Sequence, residues 1–175
     1  MAISSAAMVM QCLFWMTDNM HTTYLALGSN MGNRQQVMEQ AIKMINEQIG
    51  AVVRQSSFYE TEPWGFDSPN MFLNAAVCVE TPLCPRCLLE RTQLIERALG
   101  RTKKTTLHTS HSSLHTPHST LPTPHYSDRP IDIDILLYDD IIVDEPDLKI
   151  PHPLMYERDF VMVPLREIKD GGPSI

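Results

Sequence analysis

Residues 23–50, TYLALGSNMGNRQQVMEQAIKMINEQIG, contain two different spacings of apolar residues. The first five residues are β-prone and end in the turn cluster Gly28-Ser29-Asn30, which is typical of a strand followed by a loop. From Asn33 onward apolar residues recur every three or four positions, and Gly50 stands where a helix stop is expected. The apolar positions are Val37, Ala41, Ile42, Ile45 and Ile49. This stretch therefore predicts a strand, a loop and an amphipathic helix.

The chain that follows continues to alternate between the two spacings. Further strands are predicted over residues 51–59, 72–80 and 131–138, with a short one over 141–143 and an element of open type over 160–168. A second helix is opened by Pro85 and stopped by Gly100. Its predicted apolar face consists of Leu88, Leu89, Leu94, Ile95, Ala98 and Leu99.

The order of these elements is β-α-β-β-α-β once residues 105–125 are set aside. That order is the split βαβ arrangement of the ferredoxin-like α+β fold. It predicts a sandwich in which helices pack on one face of a mostly antiparallel sheet.

Length and composition limit the possible classes of protein. The 175 residues are enough for one domain, predicted over 20–175, while residues 1–19 are interpreted as a disordered extension or a non-native start. A net charge of -7 argues against sequence-independent binding of nucleic acid and against binding to an anionic membrane. The apolar run at residues 6–16 is too short for a membrane helix. We expect a cytoplasmic protein, acting as a monomer on small molecules.

Residues 105–125 form a separate, compositionally biased insert. Thr, His, Ser, Pro and Leu recur there in near-repeats that hold five of the seven histidines. Such a tract has too little apolar surface to offset its ordering entropy, so a disordered loop is predicted. Binding of zinc or nickel by the histidines is the alternative to a simple repeat expansion.

Two cysteines lie in a Cys-x-x-Cys arrangement at Cys84 and Cys87. A helix N-terminus can stabilise a thiolate, so a redox pair is one hypothesis. The simpler interpretation is that Pro85 opens a helix and the cysteines occupy its first turn. The latter is favoured because the sequence context of a thioredoxin-like motif is absent.

Asp132 and Asp134 are the residues most informative about chemistry. Side chains alternate along a strand, so both acids lie on one face while the neighbouring isoleucines point into the core. A half-exposed strand with acids on its wet face would show the same pattern. The nearby cations Arg101, Lys103 and Arg129 favour a site for Mg²⁺ and a nucleotide instead. The chain has no Walker-type phosphate loop, so side chains and metal ions must hold any phosphate.

Five motifs in a fixed order resemble the 6-hydroxymethyl-7,8-dihydropterin pyrophosphokinase family. They span most of the chain outside residues 1–19 and the insert. The motifs are LGSNMGNR at 27–34, SFYETEPWG at 57–65, FLNAAV at 72–77, RPIDIDIL at 129–136, and IPHPLM at 150–155 followed by RDF at 158–160.

The resemblance implies transfer of a diphosphate from ATP to the hydroxymethyl group of a reduced pterin, with AMP released and two Mg²⁺ ions bound. Asp132 and Asp134 would bind both metals, and Asp132 would be the nearest candidate base for the hydroxyl proton. The cations implied to contact phosphate are Arg101, Lys103, Arg129 and Arg158, and the residues implied to line the ATP site also include Gln93, Glu96 and His152.

For the pterin, the resemblance implies a sandwich between Phe72 and Phe160. Asn74 would read the hydrogen-bonding edge of the ring, and the loop containing Thr61 and Trp64 would complete the pocket. Stacking faces combined with fixed polar partners suit a flat heterocycle.

The chain departs from the family in its catalytic loop. The insert lengthens the loop between the basic residues and Arg129, and position 103 is Lys where the family often has Arg. A lysine lacks the bidentate geometry of arginine. The alternative function is therefore a catalytically impaired relative with a His-rich metal-binding loop.

Overall fold

The computed structural model describes residues 20–101 and 127–169. The predicted extension at 1–19 and the insert at 105–125 lie outside the described residues, so both stay predictions. The strands are β1 (His21–Ser29), β2 (Ala51–Gln55), β3 (Tyr59–Thr61), β4 (Phe72–Thr81), β5 (Asp132–Tyr138), β6 (Val143–Glu145) and β7 (Leu148–Ile150). The α-helices are α1 (Arg34–Gln48), α2 (Pro85–Ala98) and α3 (Asp159–Lys169), and a 3₁₀ turn covers Met155–Glu157.

One antiparallel sheet organises the fold, with strand order β2-β4-β1-β5 and β3 paired to β4. Its register places Gly28 opposite Asp132 and Ala26 opposite Asp134. Gly28 is also opposite Asn74 on the other side of β1. The α+β prediction is confirmed. Strand β1 lies between β4 and β5, so residues of both neighbouring strands lie beside Gly28.

The main core lies between the sheet and helices α1 and α2. Leu25 and Leu27 of β1 pack there with Ile45 of α1 and Ile95 of α2. Each of these side chains is at most 2% exposed, so the amphipathic pattern predicted for α1 is satisfied by burial.

Helix α3 covers the opposite face of the sheet, which corrects the prediction of helices on one face. Tyr24 and Ala26 alternate with the core residues of β1 and pack with Val161 and Leu165 of α3. The sequence left the type of this element open. It is a helix that accommodates Pro164, a residue that disfavours helix interiors.

Two predicted strand boundaries change in the structure, and Gly50 has a different role from the one expected. The strand predicted over 51–59 is two strands, because the strand pairing is interrupted at Ser56. There the Ser56 hydroxyl, and not a backbone carbonyl, accepts the Ala76 N–H at 2.9 Å. The strand predicted over 141–143 is instead the first arm of the β6–β7 hairpin. Gly50 follows α1 without a positive φ. A Cβ at Gly50 would lie 2.1 Å from the Glu80 carbonyl oxygen, so close packing explains this glycine.

The two ends of α2 differ from each other, and its C-terminal end determines the position of Arg101. Cys84 is the N-cap and Pro85 the first helical residue, as the simpler interpretation predicts, while the redox hypothesis stays untested. Leu94, predicted on the apolar face, is 46% exposed, and Glu96 is buried instead. At the other end Gly100 has φ 94°. The Arg101 N–H then bonds to the Glu96 carbonyl at 2.9 Å, a Schellman-type stop that fixes Arg101.

Over the described ranges, none of the helices has the length and apolar character needed to cross a bilayer.

Candidate active site

A pocket opens where the ends of β1, β4 and β5 meet the start of α3. It has a volume of about 550 Å³, including space open to solvent. Nine of the residues predicted for metal, phosphate and pterin line this pocket. Its lining comprises Ala26, Leu27, Gly28, Thr61, Glu62, Trp64, Phe66, Phe72, Asn74, Arg129, Asp132, Asp134, Arg158, Phe160 and Val161.

The two acids of β5 face this pocket from one side of the strand. Asp132 and Asp134 are half-buried, whereas Ile133 and Ile135 are 1% and 5% exposed on the core side. The alternation predicted from the sequence is what the strand shows. Two carboxylates are thus held on a rigid element at the mouth of a cavity.

A buried ionic cluster lies behind Asp132. The Arg101 guanidinium donates to Glu96 Oε1 at 2.6 Å and to Asp132 Oδ1. Glu96 Oε1 also accepts the backbone N–H of Ile133 at 2.8 Å. Burial acts to lower the pKa of Arg101, but the carboxylates of Asp132 and Glu96 outweigh it, so the pKa is raised and Arg101 stays charged.

Two further guanidinium groups lie against aromatic rings in the pocket. Arg129 Nε is 2.8 Å from Asp132 Oδ2, and its guanidinium carbon lies 5.0 Å from the centre of the Phe72 ring. The guanidinium carbon of Arg158 is 4.5 Å from the Trp64 ring and 5.8 Å from Phe160. Cations over aromatic faces are attracted by the ring quadrupole. The site therefore holds its positive charge on the same surfaces that can stack a flat ligand.

The polar edge of the pocket is set by the β3–β4 pairing. Tyr59 lies opposite Asn74 and Thr61 opposite Phe72. Asn74 Nδ2 donates to Thr61 Oγ1 at 2.8 Å, which orients the amide. Its Oδ1 would lie 3.2 Å from a Cβ at Gly28, so this glycine leaves room for the amide.

Aromatic neighbours support both predicted stacking residues. Phe66 meets Phe72 edge-on, with ring centres 6.2 Å apart, and Trp64 lies 6.3 Å from Phe160. Such pairs favour defined ring orientations.

Of the predicted site residues that the structure describes, four do not line the pocket. Arg101 and Glu96 lie behind Asp132, where they act on its position. Gln93 is half-buried on α2, and His152 donates its backbone N–H to Leu136 on β5 at 3.0 Å. Lys103 is outside the described residues.

Sequence reasoning missed several lining residues, chiefly Gly28 and Phe66. Phe66 directly follows the predicted segment 61–65, in a loop that has no periodic signal. Gly28 had one usable signal, because a glycine inside a β-prone run often marks a place where another group packs closely against the backbone.

The metal prediction can be tested against the donor atoms present. Across residues 20–101 and 127–169, no three His, Cys, Asp or Glu side chains are grouped to hold an ion by themselves. Mg²⁺ usually takes only one or two carboxylates and completes its shell with phosphate and water. Asp132 and Asp134 fit an ion that arrives with a phosphate substrate.

Acids on a rigid strand, flanked by several guanidinium groups, define a site of the phosphoryl-transfer class. Comparison with known proteins narrows this class. A family model described as 7,8-dihydro-6-hydroxymethylpterin-pyrophosphokinase matches residues 24–170. The chain belongs to this family, and it is an enzyme of folate synthesis.

Individual relatives agree with the family match. The 2-amino-4-hydroxy-6-hydroxymethyldihydropteridine pyrophosphokinase of Porphyromonas gingivalis is 44% identical over 150 residues, which is 85% of this chain and 91% of the relative. The Bacillus subtilis protein of the same name is 39% identical over 146 residues, covering 83% and 76% of the two chains.

Solved structures confirm the fold. The wild-type HPPK-DHPS of Plasmodium falciparum matches with a TM-score of 0.63 at 14% identity, covering 87% of this chain. The present chain spans 42% of that longer protein. At this identity the likeness bears on the fold alone, and it agrees with the predicted ferredoxin-like α+β class.

Proposed function

We propose that the pocket binds ATP and 6-hydroxymethyl-7,8-dihydropterin side by side and transfers the terminal diphosphate to the pterin, releasing AMP. The observation that carries this proposal is that Asp132 and Asp134 open onto the same cavity as Phe72 and Phe160. Family membership supports the reaction, and the cavity supports the assignment of roles.

The reaction balances without a further reactant. The hydroxymethyl oxygen forms a bond to the β-phosphorus of ATP, and the bond from that phosphorus to the α,β-bridging oxygen breaks. AMP leaves with that oxygen, and the hydroxyl proton is released. Asp132, which also contacts the guanidinium groups of Arg101 and Arg129, is the nearest candidate acceptor for the proton.

Two Mg²⁺ ions are part of the proposal, held by Asp132 and Asp134 together with the phosphates. When bound, Mg²⁺ neutralises charge that develops on the transferring group. The chain's own contribution is to hold both carboxylates on one strand and to keep Arg101 against Asp132. Because these groups are fixed before substrate binds, little reorganisation is needed during the reaction.

Arg129 and Arg158 are proposed to move from their aromatic contacts to phosphate oxygens. Guanidinium groups match phosphate geometry bidentately, so the exchange is favourable once the nucleotide is present. The same movement frees Phe72 and Phe160 to stack the pterin, while Asn74 presents Oδ1 to the ring edge. Lys103, Gln93, Glu96 and His152 are kept in the proposal as contributors to the nucleotide side.

The function is tested by measuring AMP release from ATP with and without 6-hydroxymethyl-7,8-dihydropterin. Release that requires the pterin is expected. The alternative, an impaired relative with a metal-binding loop, predicts only pterin-independent background; the named relatives favour the active enzyme. A cytoplasmic location and a monomeric state stay part of this proposal, to be checked by fractionation and by sedimentation.

A further inference from the structure

Asn30 belongs to a motif that the proposed function leaves without a role. Gly28 and Ser29 are the last residues of β1, and Asn30, which directly follows them, is only 3% exposed. Asparagine in a turn commonly bonds to its own loop. Asn30 instead bonds to a segment about a hundred residues further along the chain, beside Arg129.

The need for this contact arises from Pro130. The β1–β5 ladder runs as far as Gly28 opposite Asp132. Beyond that point Pro130 has no N–H to donate, so the ladder cannot continue regularly. Asn30 takes the place of the regular ladder hydrogen bonds by bonding to both backbone groups of Arg129. The Arg129 N–H donates to Asn30 Oδ1 at 2.8 Å, and the Asn30 N–H donates to the Arg129 carbonyl at 3.2 Å.

The other side of the Asn30 amide fixes Asp128. Asn30 Nδ2 donates to Asp128 Oδ1 at 2.6 Å, and Asn70 Nδ2 donates to Asp128 Oδ2 at 2.7 Å. A hydrogen bond from the Ser68 hydroxyl, with those from the two amides, lowers the pKa of Asp128. Three separate loops therefore meet at one carboxylate, directly before Arg129.

We infer that Asn30 is a positioning residue for Arg129, holding its backbone so that its guanidinium reaches Asp132 and the nucleotide phosphates. This inference rests on the proposed function, in which Arg129 contacts ATP. The backbone of Arg129 is then positioned by the end of β1 through Asn30.

The test exchanges hydrogen-bond donor and acceptor. In Asn30→Asp the new carboxylate still accepts the Arg129 N–H, but it faces the Asp128 carboxylate without a proton between them. Adding Asp128→Asn restores a donor at position 128, whose amide oxygen can still accept from Asn70. We expect kcat/KM for ATP to fall by about tenfold or more in the single variant and to return to within roughly threefold of wild type in the double variant.

Asn30→Ala and Asn46→Asp complete the set. Asn46 Oδ1 also accepts a backbone N–H, from Val52 at 3.0 Å, but Asn46 lies near the end of α1 and does not line the pocket. Asn46→Asp is expected to retain wild-type kcat/KM. Asn30→Ala introduces no charge and so cannot create repulsion. It is expected to bind ATP more weakly than the wild type, and the affinity is measured at low temperature so that lower fold stability does not interfere.

A readout independent of activity is the NMR signal of the Arg129 side-chain Nε–Hε group, assigned with Arg129→Lys. It is expected to shift and exchange faster in Asn30→Asp and to recover in the double variant. No recovery in the double variant, or a wild-type signal in Asn30→Ala, would overturn the inference. Absence of pterin-dependent AMP release in the wild type would instead refute the proposed function, and the NMR comparison would still decide the role of Asn30.

Discussion

Glu96 on α2 accepts the backbone N–H of Ile133, the residue between the two site acids, at 2.8 Å. The same carboxylate oxygen accepts from Arg101 at 2.6 Å. A buried helix residue therefore holds both the strand that carries Asp132 and Asp134 and the cation that pairs with Asp132.

Loss of the Glu96 carboxylate is expected to destabilise the fold strongly. Glu96→Ala leaves the buried Arg101 charge short of a partner and the Ile133 N–H unsatisfied. Breaking a buried pair in this way costs about 3–5 kcal/mol in free energy of unfolding. Urea denaturation measures it, with Glu90→Ala on the exposed side of α2 as the control, expected within about 0.5 kcal/mol of wild type. Equal losses in both variants would contradict the role assigned to Glu96.

The two acids are expected to be indispensable for turnover. Asp132→Ala or Asp134→Ala should lower kcat at least about a hundredfold with the fold intact, because each removes a proposed metal ligand and its charge. Pterin-dependent AMP release measures the effect, and circular dichroism checks folding. The control is Asp140→Ala, an exposed acid beyond the other end of β5. Near-normal rates in either site variant would reject the metal assignment.

Gly28 is expected to control pterin binding. In Gly28→Ala the new methyl group lies 3.2 Å from Asn74 Oδ1 and displaces the amide that is proposed to read the ring. Pterin affinity should fall about tenfold or more while ATP affinity changes little, as measured by calorimetry.

Gly32→Ala, in the loop that follows β1, provides the matched control. A Cβ there meets nothing within 4 Å, although φ is +63°. The variant should lose roughly 1–2 kcal/mol of stability and keep its pterin affinity. A loss of pterin affinity in Gly32→Ala as large as in Gly28→Ala would show that general loop strain, and not Asn74, is responsible.

Glu167 makes the attachment of α3 pH-dependent. Burial acts to raise the pKa of this carboxyl, but hydrogen bonds from Tyr59 and Ser57 outweigh it, so the pKa is lowered. The Tyr59 hydroxyl donates at 2.8 Å. A carboxyl with a lowered pKa in the folded state stabilises above its unfolded pKa, about 4.3, and loses that contribution as pH falls through the folded value.

Glu167→Gln should therefore flatten the decline in free energy of unfolding below about pH 5. Denaturation curves between neutral pH and pH 3 measure this change. Glu47→Gln, an exposed carboxyl on α1, is the control and should leave the slope unchanged. A slope for Glu167→Gln that matches the wild type would disprove the assignment.

Deleting residues 105–125 should leave pterin binding unchanged, because the residues proposed to bind the ring come from other segments of the chain. Calorimetry with a pterin analogue measures it. Replacement of the insert by a Gly/Ser segment of equal length separates length from composition. If deletion abolished pterin binding, the insert would have to contribute to the pocket.

The parts of the site that follow from local patterns were predictable. Alternation along a strand has a period of two, so it put Asp132 and Asp134 on one face without knowledge of the partner strands. The start of α1 at Asn33 was likewise visible, and the Asn33 side chain accepts the Gln36 N–H at 3.2 Å.

Features that depend on distant partners were not predictable from the pattern. The sequence predicts Glu96 on the nucleotide side, a role that stays a proposal, but it does not predict the burial of Glu96, which depends on Arg101 and Ile133. It also predicts Leu94 in the core, because a helical period cannot decide which of two adjacent faces is covered. Helix α3 packs on the face of the sheet that carries Tyr24 and Ala26. The sequence of α3 alone does not indicate which face this is.

The contact between Arg158 and Trp64 gives this chain an intrinsic optical probe. Indole emission responds to a nearby charged group, and the guanidinium carbon lies 4.5 Å from the ring. The sequence contains one other tryptophan, Trp15, so replacing it with phenylalanine leaves a single emitter. Stopped-flow fluorescence of that variant would then time the departure of the arginine as each substrate arrives, without any label.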